Sequence, residues 1–224
     1  MKFNSNIFLF FSCLFCTLPA LAQQPVEFVE NKGQWDNSVL FKGEITNGAF
    51  FLQREGFTVL LNNQDDMQKI AYVSHGHLHE NIPATPGTEA SKRSAYPRPG
   101  TKPPGPDDSL VLRSHAYNMR FSGSNPNPVT EKEKPVSSYA NYLLGNDPSK
   151  WASECKIYQA VTYKNIYPNI DVRYYANGSD LKYDIVVYPG ANVNNIVMTY
   201  EGADKLLIKN KELIIKTSVG DVKE

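Results

Sequence analysis

Apolar and polar positions alternate over short stretches of the chain, and no run keeps the 3.6-residue period of a long helix. Ala49-Phe50-Phe51-Leu52 and Phe57-Thr58-Val59-Leu60-Leu61 flank Arg54-Glu55-Gly56, which predicts a hairpin with Gly56 at a positive φ. Further strands are expected over 110–121, 158–163, 170–175, 181–188, 196–200, 205–209, 212–216 and 220–222. Asn177-Gly178 is a strong hairpin signal between two of them, and Asn210-Lys211 is expected to turn between two others. Helical signals are few. Asp147-Pro148-Ser149-Lys150-Trp151 places a capping residue before proline at the first helical position, and 138–144 is a second short helical candidate. The expected fold is mostly β: an antiparallel β-sandwich or paired sheets, with one or two short helices and a disordered Pro-rich loop.

Two segments break the strand pattern. Lys2, an apolar run over 7–18 and Ala20-Leu21-Ala22 have the three-part plan of a secretory signal peptide over residues 1–22. Its removal takes Cys13 and Cys16 and leaves Cys155, which cannot form an intrachain disulfide and is expected to be buried and inert. The second break holds seven of the fifteen prolines, from Pro83 to Pro106, and almost no large aliphatic residue. Such a stretch cannot bury enough apolar surface to offset its ordering entropy. The expected organisation is a leader over 1–22, a β-rich block over 23–80, a linker or loop over 81–109 and a second β-rich block over 110–224. The two blocks are either separate or parts of one domain.

Composition narrows the function classes. A chain of 224 residues, 41% hydrophobic and 12% aromatic, can bury a substantial core. Its 23 basic and 23 acidic residues cancel, which removes the electrostatic reason to expect nucleic acid or an anionic membrane as partner. The apolar run of the leader is too short to span a bilayer, so no integral membrane segment is expected in the mature chain.

Candidate chemistry rests on three sets of residues. In an extended segment His75, His77 and His79 share one face and would converge on zinc or copper, with Glu80 or His115 as a fourth ligand. The other reading is a solvated run at the edge of the linker, in which case no cofactor is held. Asp171 and Asp184, with Glu201, lie on or beside expected strands and would suit a general acid/base pair if two of them face a sugar cleft. A carboxylate on a strand is otherwise turned to solvent. Trp35 and Trp151 offer flat faces for a glycan or protein ligand, or serve as packing anchors. Phosphate-binding, dinucleotide, serine-hydrolase and zinc-protease signatures are lacking.

Several longer motifs carry a family resemblance. Phe28-Val29-Glu30-Asn31-Lys32-Gly33-Gln34-Trp35 resembles the F-x-E-N-x-G-Q-W opening of an N-terminal domain of unknown function in secreted proteins of the Bacteroidetes. His115-Ala116-Tyr117, the segment 141–151 (Asn-Tyr-Leu-Leu-Gly-Asn-Asp-Pro-Ser-Lys-Trp), Tyr163 to Asp171, and Leu181-Lys182-Tyr183-Asp184 are similar to further motifs of that module. The resemblance implies an exported module that precedes β-propeller-type repeats and a type IX secretion sorting domain. Its partners would then be downstream domains of the same longer chain, and a surface glycan or protein. It implies display at the cell surface or release if a sorting domain follows, and periplasmic residence otherwise. The function expected is therefore a non-enzymatic role in adhesion, assembly or surface binding. The alternative is a carbohydrate-binding, carbohydrate-processing or metal-dependent hydrolytic module.

Overall fold

The computed structural model describes residues 26–76, 110–178 and 180–224. The expected leader and linker, together with His77, His79 and Glu80, lie outside the described residues. Strands dominate: β1 (Phe28–Glu30), β2 (Val39–Ile45), β3 (Gly48–Gln53), β4 (Gly56–Asn62), β5 (Ser114–Phe121), β6 (Val129–Tyr142), β7 (Ala152–Tyr167), β8 (Ile170–Asn177), β9 (Asp180–Val187) and β10 (Met198–Glu201) form one sheet. Strands β11 (Lys205–Lys209), β12 (Glu212–Thr217) and β13 (Gly220–Lys223) form a second, and helix α1 (Gln64–Gly76) follows β4. The fold is mostly β and antiparallel, as the alternation predicts.

The larger sheet runs β10-β5-β4-β3-β2-β1-β7-β8-β9, with β6 on the other edge of β7. Strand β7 is the pivot. Its Ile157 and Tyr158 pair with β1, whereas its stretch from Ala160 to Tyr167 pairs with β8 along the same edge. The sheet therefore divides at β7 into two layers that face each other. Phe57 on β4 meets Tyr174 on β8 and Tyr183 on β9 at ring-centroid distances of 6.3 and 5.9 Å, although these strands are not neighbours.

Between the layers lies one apolar core. Phe41, Leu52, Phe57 and Met119 stand opposite one another in register across β2 to β5, and Phe50, Val59 and Tyr117 form the adjacent row. All seven are buried. Alternate residues of a strand share a face, so this pattern needs only a period of two. Gly43 sits opposite Phe50, and a Cβ there would lie 2.3 Å from the Phe50 ring. Ile215, fully buried on β12, joins the smaller sheet to this core.

Local expectations met mixed outcomes. Pro148–Lys150 forms a single 3₁₀ turn, with the Asp147 carboxylate accepting the Ser149 N–H. Asn210 and Lys211 make the two-residue turn between β11 and β12, with φ of 54° and 67°. Gly56 does not adopt positive φ. Glycine is needed there because a Cβ would stand 2.0 Å from the Met119 carbonyl oxygen on β5.

Residues 138–144 are not helical. Tyr139, Ala140 and Tyr142 instead pair with Lys156, Cys155 and Ala152, so cross-strand bonding overrides local preference. Helix α1 was not foreseen, because it lacks a clear apolar stripe. Its start is nevertheless encoded locally: Asn63 Oδ1 accepts the Asp66 N–H at 3.1 Å, and Asp65 and Asp66 occupy the first turn. Asp66 also accepts two hydrogen bonds from the Arg113 guanidinium, at 2.7 and 2.9 Å, which ties the helix to the segment entering β5. No helix among the described residues is long and apolar enough to cross a membrane.

Candidate functional site

The most distinctive motif of the sequence closes on itself. The Asn31 carboxamide donates to the carbonyls of Trp35, Asp36 and Val39 and accepts from the N–H groups of Gly33 and Trp35. Gln34 is buried; its Oε1 accepts the Lys32 N–H at 2.6 Å, and its Nε2 donates to the Glu30 carbonyl at 2.9 Å and the Cys155 Sγ at 3.4 Å. Glu30 accepts the Lys156 N–H at 3.0 Å and pairs with Lys132 at 3.2 Å. Burial raises the Glu30 pKa, but these partners outweigh it and hold the carboxyl below its ordinary value. This motif is a clasp that joins β1, the loop after it, and β7. Cys155 is buried, and burial pushes its thiol pKa up, so it is not a poised nucleophile.

Trp35 and Trp151 come to the same end of the molecule, near Tyr142. Trp35 packs edge-on against Tyr142, with ring centroids 5.0 Å apart and Lys42 Nζ 5.8 Å over its ring. Trp151 precedes Ala152, the register partner of Tyr142, and its Nε1 donates to the Gly145 carbonyl at 3.2 Å. Around them the β6–β7 tip exposes Tyr139, Leu143, Leu144 and Trp151, at 58, 63, 53 and 43%. The leucines were missed as site residues at the sequence level. The available signal was an apolar pair directly before Gly145-Asn146-Asp147-Pro148, a turn sequence in which buried side chains are not expected.

Asp171 and Asp184 share the outer face of the β8–β9 hairpin, opposite Val186 and Arg173 respectively. Asp171 is 2% exposed and fully engaged: Lys164 Nζ lies 2.5 Å away, the Asn165 N–H donates at 2.8 Å and the Tyr188 hydroxyl at 3.0 Å. Burial raises its pKa, but the three donors prevail and hold the carboxyl below its ordinary value. Lys164 is pushed up to about 12, chiefly by its hydrogen bond to Asp171. A general acid for glycoside cleavage needs the opposite shift. Asp184 is exposed and accepts the Tyr175 hydroxyl at 3.2 Å. Between them Arg173 makes a two-pronged pair with Glu133, which also accepts from Thr162 at 2.6 Å. The outer face is thus an array of mutually satisfied charges. Glu201 stands apart from it on β10, at the other end of the strand order.

The histidine set is only partly visible. His75 falls in α1, while His77 and His79 lie outside the described residues. His115, the suggested fourth ligand, has Nδ1 3.0 Å from Ser218 Oγ and Nε2 2.7 Å from the Gly202 carbonyl oxygen. Both nitrogens serve to fasten β5 to the loop after β10 and to the β12–β13 turn. Among the described residues, no group of three or more His, Cys, Asp or Glu side chains is placed to hold a metal.

A family model described as a domain of unknown function (DUF7948) matches residues 28–224. Neither a curated protein nor a solved structure matches the chain significantly.

Proposed function

We propose that this chain, which belongs to the DUF7948 family of domains of unknown function, is an exported, non-catalytic module that binds another protein through the tip of its β6–β7 hairpin. The carrying observation is the exposure of Tyr139, Leu143, Leu144 and Trp151 together at that tip, on a frame fixed by the Trp35–Tyr142 contact. Exposed aromatic and aliphatic side chains on a rigid hairpin are the composition of a protein-binding hot spot. The charged groups best suited to acid/base chemistry are instead occupied by one another. Stacking on a sugar favours an open ring face, and Trp35 is already covered by Tyr142 and Lys42. Export is supported by the leader-like residues 1–22 and by the resemblance to N-terminal modules of secreted proteins, where adhesion or assembly would be the role.

The test compares wild type with the triple variant Leu143→Ser, Leu144→Ser, Trp151→Ala in saturation binding to envelopes isolated from the producing organism, before and after protease treatment of those envelopes. The substituted side chains are exposed, so the melting temperature is expected to move little. Saturable, protease-sensitive binding weakened at least tenfold by the variant supports the reading. Equal binding by both proteins overturns it, and binding that survives protease moves the ligand to a glycan or lipid.

A further inference from the structure

A second apolar surface lies far from the tip in the fold, where the smaller sheet meets β9 and β10. One face of that sheet carries Leu206, Ile215 and Val222 in one cross-strand row and Ile208 and Leu213 in the next. Towards β12 this face is buried in the core through Ile215. At β11 it overhangs: Leu206 is 41% and Ile208 83% exposed. Below the overhang an open cleft of about 590 Å³ is lined by Tyr183, Met198, Tyr200, Leu206, Ile208 and Glu224, among others. The Glu224 carboxylate accepts from the Tyr200 hydroxyl at 2.6 Å and the Tyr183 hydroxyl at 3.2 Å, so these three groups satisfy one another, and Lys211 also lines the cleft.

Two further observations indicate what would fill this cleft. Strand β11 pairs with β12 on one side only, which leaves its other edge without a strand partner among the described residues. Lys205, Lys209 and Lys211 lie along that strand and its turn and make no ion pair among the described residues, whereas Lys216 and Lys223 on β12 and β13 are paired with Asp221 and Glu212. Residues alternate along β11, so Leu206 and Ile208 face the cleft and Lys205 and Lys209 face away.

We infer that the β11 edge receives an extended segment of a partner protein in which apolar and acidic residues alternate. The added strand continues the sheet through backbone hydrogen bonds. Its apolar side chains fall on the Leu206–Ile208 face and enter the cleft, and its carboxylates come opposite Lys205 and Lys209. A second copy of this chain fits poorly. Antiparallel pairing of two β11 strands about Leu207 sets Lys205 against Lys209 of the other copy, a like-charge contact that blunts edge-to-edge association. The inference is independent of the β6–β7 tip.

The probe is a fluorescein-labelled nine-residue peptide alternating Glu and Val, with a Lys/Val peptide of the same length as control, titrated by fluorescence anisotropy against the purified protein. The expected result is saturable binding of the Glu/Val peptide alone. It should weaken at least tenfold in Ile208→Glu and in Lys205→Glu/Lys209→Glu, and stay unchanged in the β6–β7 tip variant. Both sites are solvent-exposed, so circular dichroism is expected to match wild type and to separate lost binding from lost folding. Absence of peptide binding overturns the inference, as does binding indifferent to these substitutions. Binding of dodecanoate in place of the peptide would assign the cleft to a lipid, and dimerisation abolished by Ile208→Glu would assign the edge to a second copy; either result also overturns it.

Discussion

Asn31 shows how much of this molecule rests on single polar side chains. Its carboxamide makes five hydrogen bonds, all to backbone groups between Gly33 and Val39, the first residue of β2. No other side chain of that size offers two donors and an acceptor in the same plane. Replacing it with alanine strands several backbone groups at once, so Asn31→Ala is expected to destabilise the fold by roughly 2–4 kcal/mol in urea unfolding. A loss below half of the lower figure would mean that water replaces the clasp. Asp66 sets a pH dependence of definite sign. The Arg113 guanidinium holds its carboxyl down to about 2. A carboxylate whose pKa is lower in the native than in the unfolded state, where it is about 3.9, stabilises the fold above the unfolded value. That contribution fades as pH falls through the native value. The urea midpoint of wild type should therefore drop between about pH 5 and pH 2, and Asp66→Asn should flatten the drop. An equally steep profile in the variant would assign acid sensitivity to other groups, with Glu30, Glu133 and Asp171 next in line because each is also held below its ordinary value.

Turns and edges decide matters at the scale of elements. The β11–β12 turn places Asn210 and Lys211 both at positive φ, a conformation that asparagine tolerates and lysine does not favour. Lys211→Gly is expected to raise stability by about 1 kcal/mol, read as a higher urea midpoint at unchanged slope. An unchanged or lower midpoint would show that the flexibility of glycine in the unfolded chain cancels the relief. Strand β6 is an outer strand of the sheet and carries the features that guard such a position: Lys132, Lys134, and Pro135 at a register shift. Strand β11 lacks a proline, and its exposed apolar pair faces a cleft, which is why its edge reads as a place for a partner. The β3–β4, β8–β9 and β11–β12 hairpins were legible from period-two alternation and turn residues. Helix α1 and strand β6 were not, because one has no clear apolar stripe and the other owes its strand state to β7.

The whole molecule is held by pairings that cross the chain. Strand β1 lies between β2 and β7, and β5 lies between β4 and β10, so residues on both sides of 77–109 interleave in a single sheet. Polypeptides covering only 26–76 or only 110–224 are expected to lack a cooperative thermal transition by circular dichroism, with one appearing when the two are mixed. A sharp transition in either piece alone would mean that it folds as an independent unit. The sequence by itself determined the β class, the β3–β4, β8–β9 and β11–β12 turns and the alternation of the strands they join, because these depend on alternation and turn chemistry between near neighbours. It also marked Glu30 to Trp35 as a special segment, but not that its polar atoms would turn inward. Tertiary structure alone decided that β7 would take three neighbours, and that Asp171 would be occupied by Lys164 and Tyr188. It also decided that Trp35 would pack on Tyr142 at the β6–β7 end, and that Leu206 and Ile208 would overhang a cleft. The physical reason is range: burial, pairing and charge compensation are set by residues tens of positions away, and one strand's alternation does not specify which strand will face it.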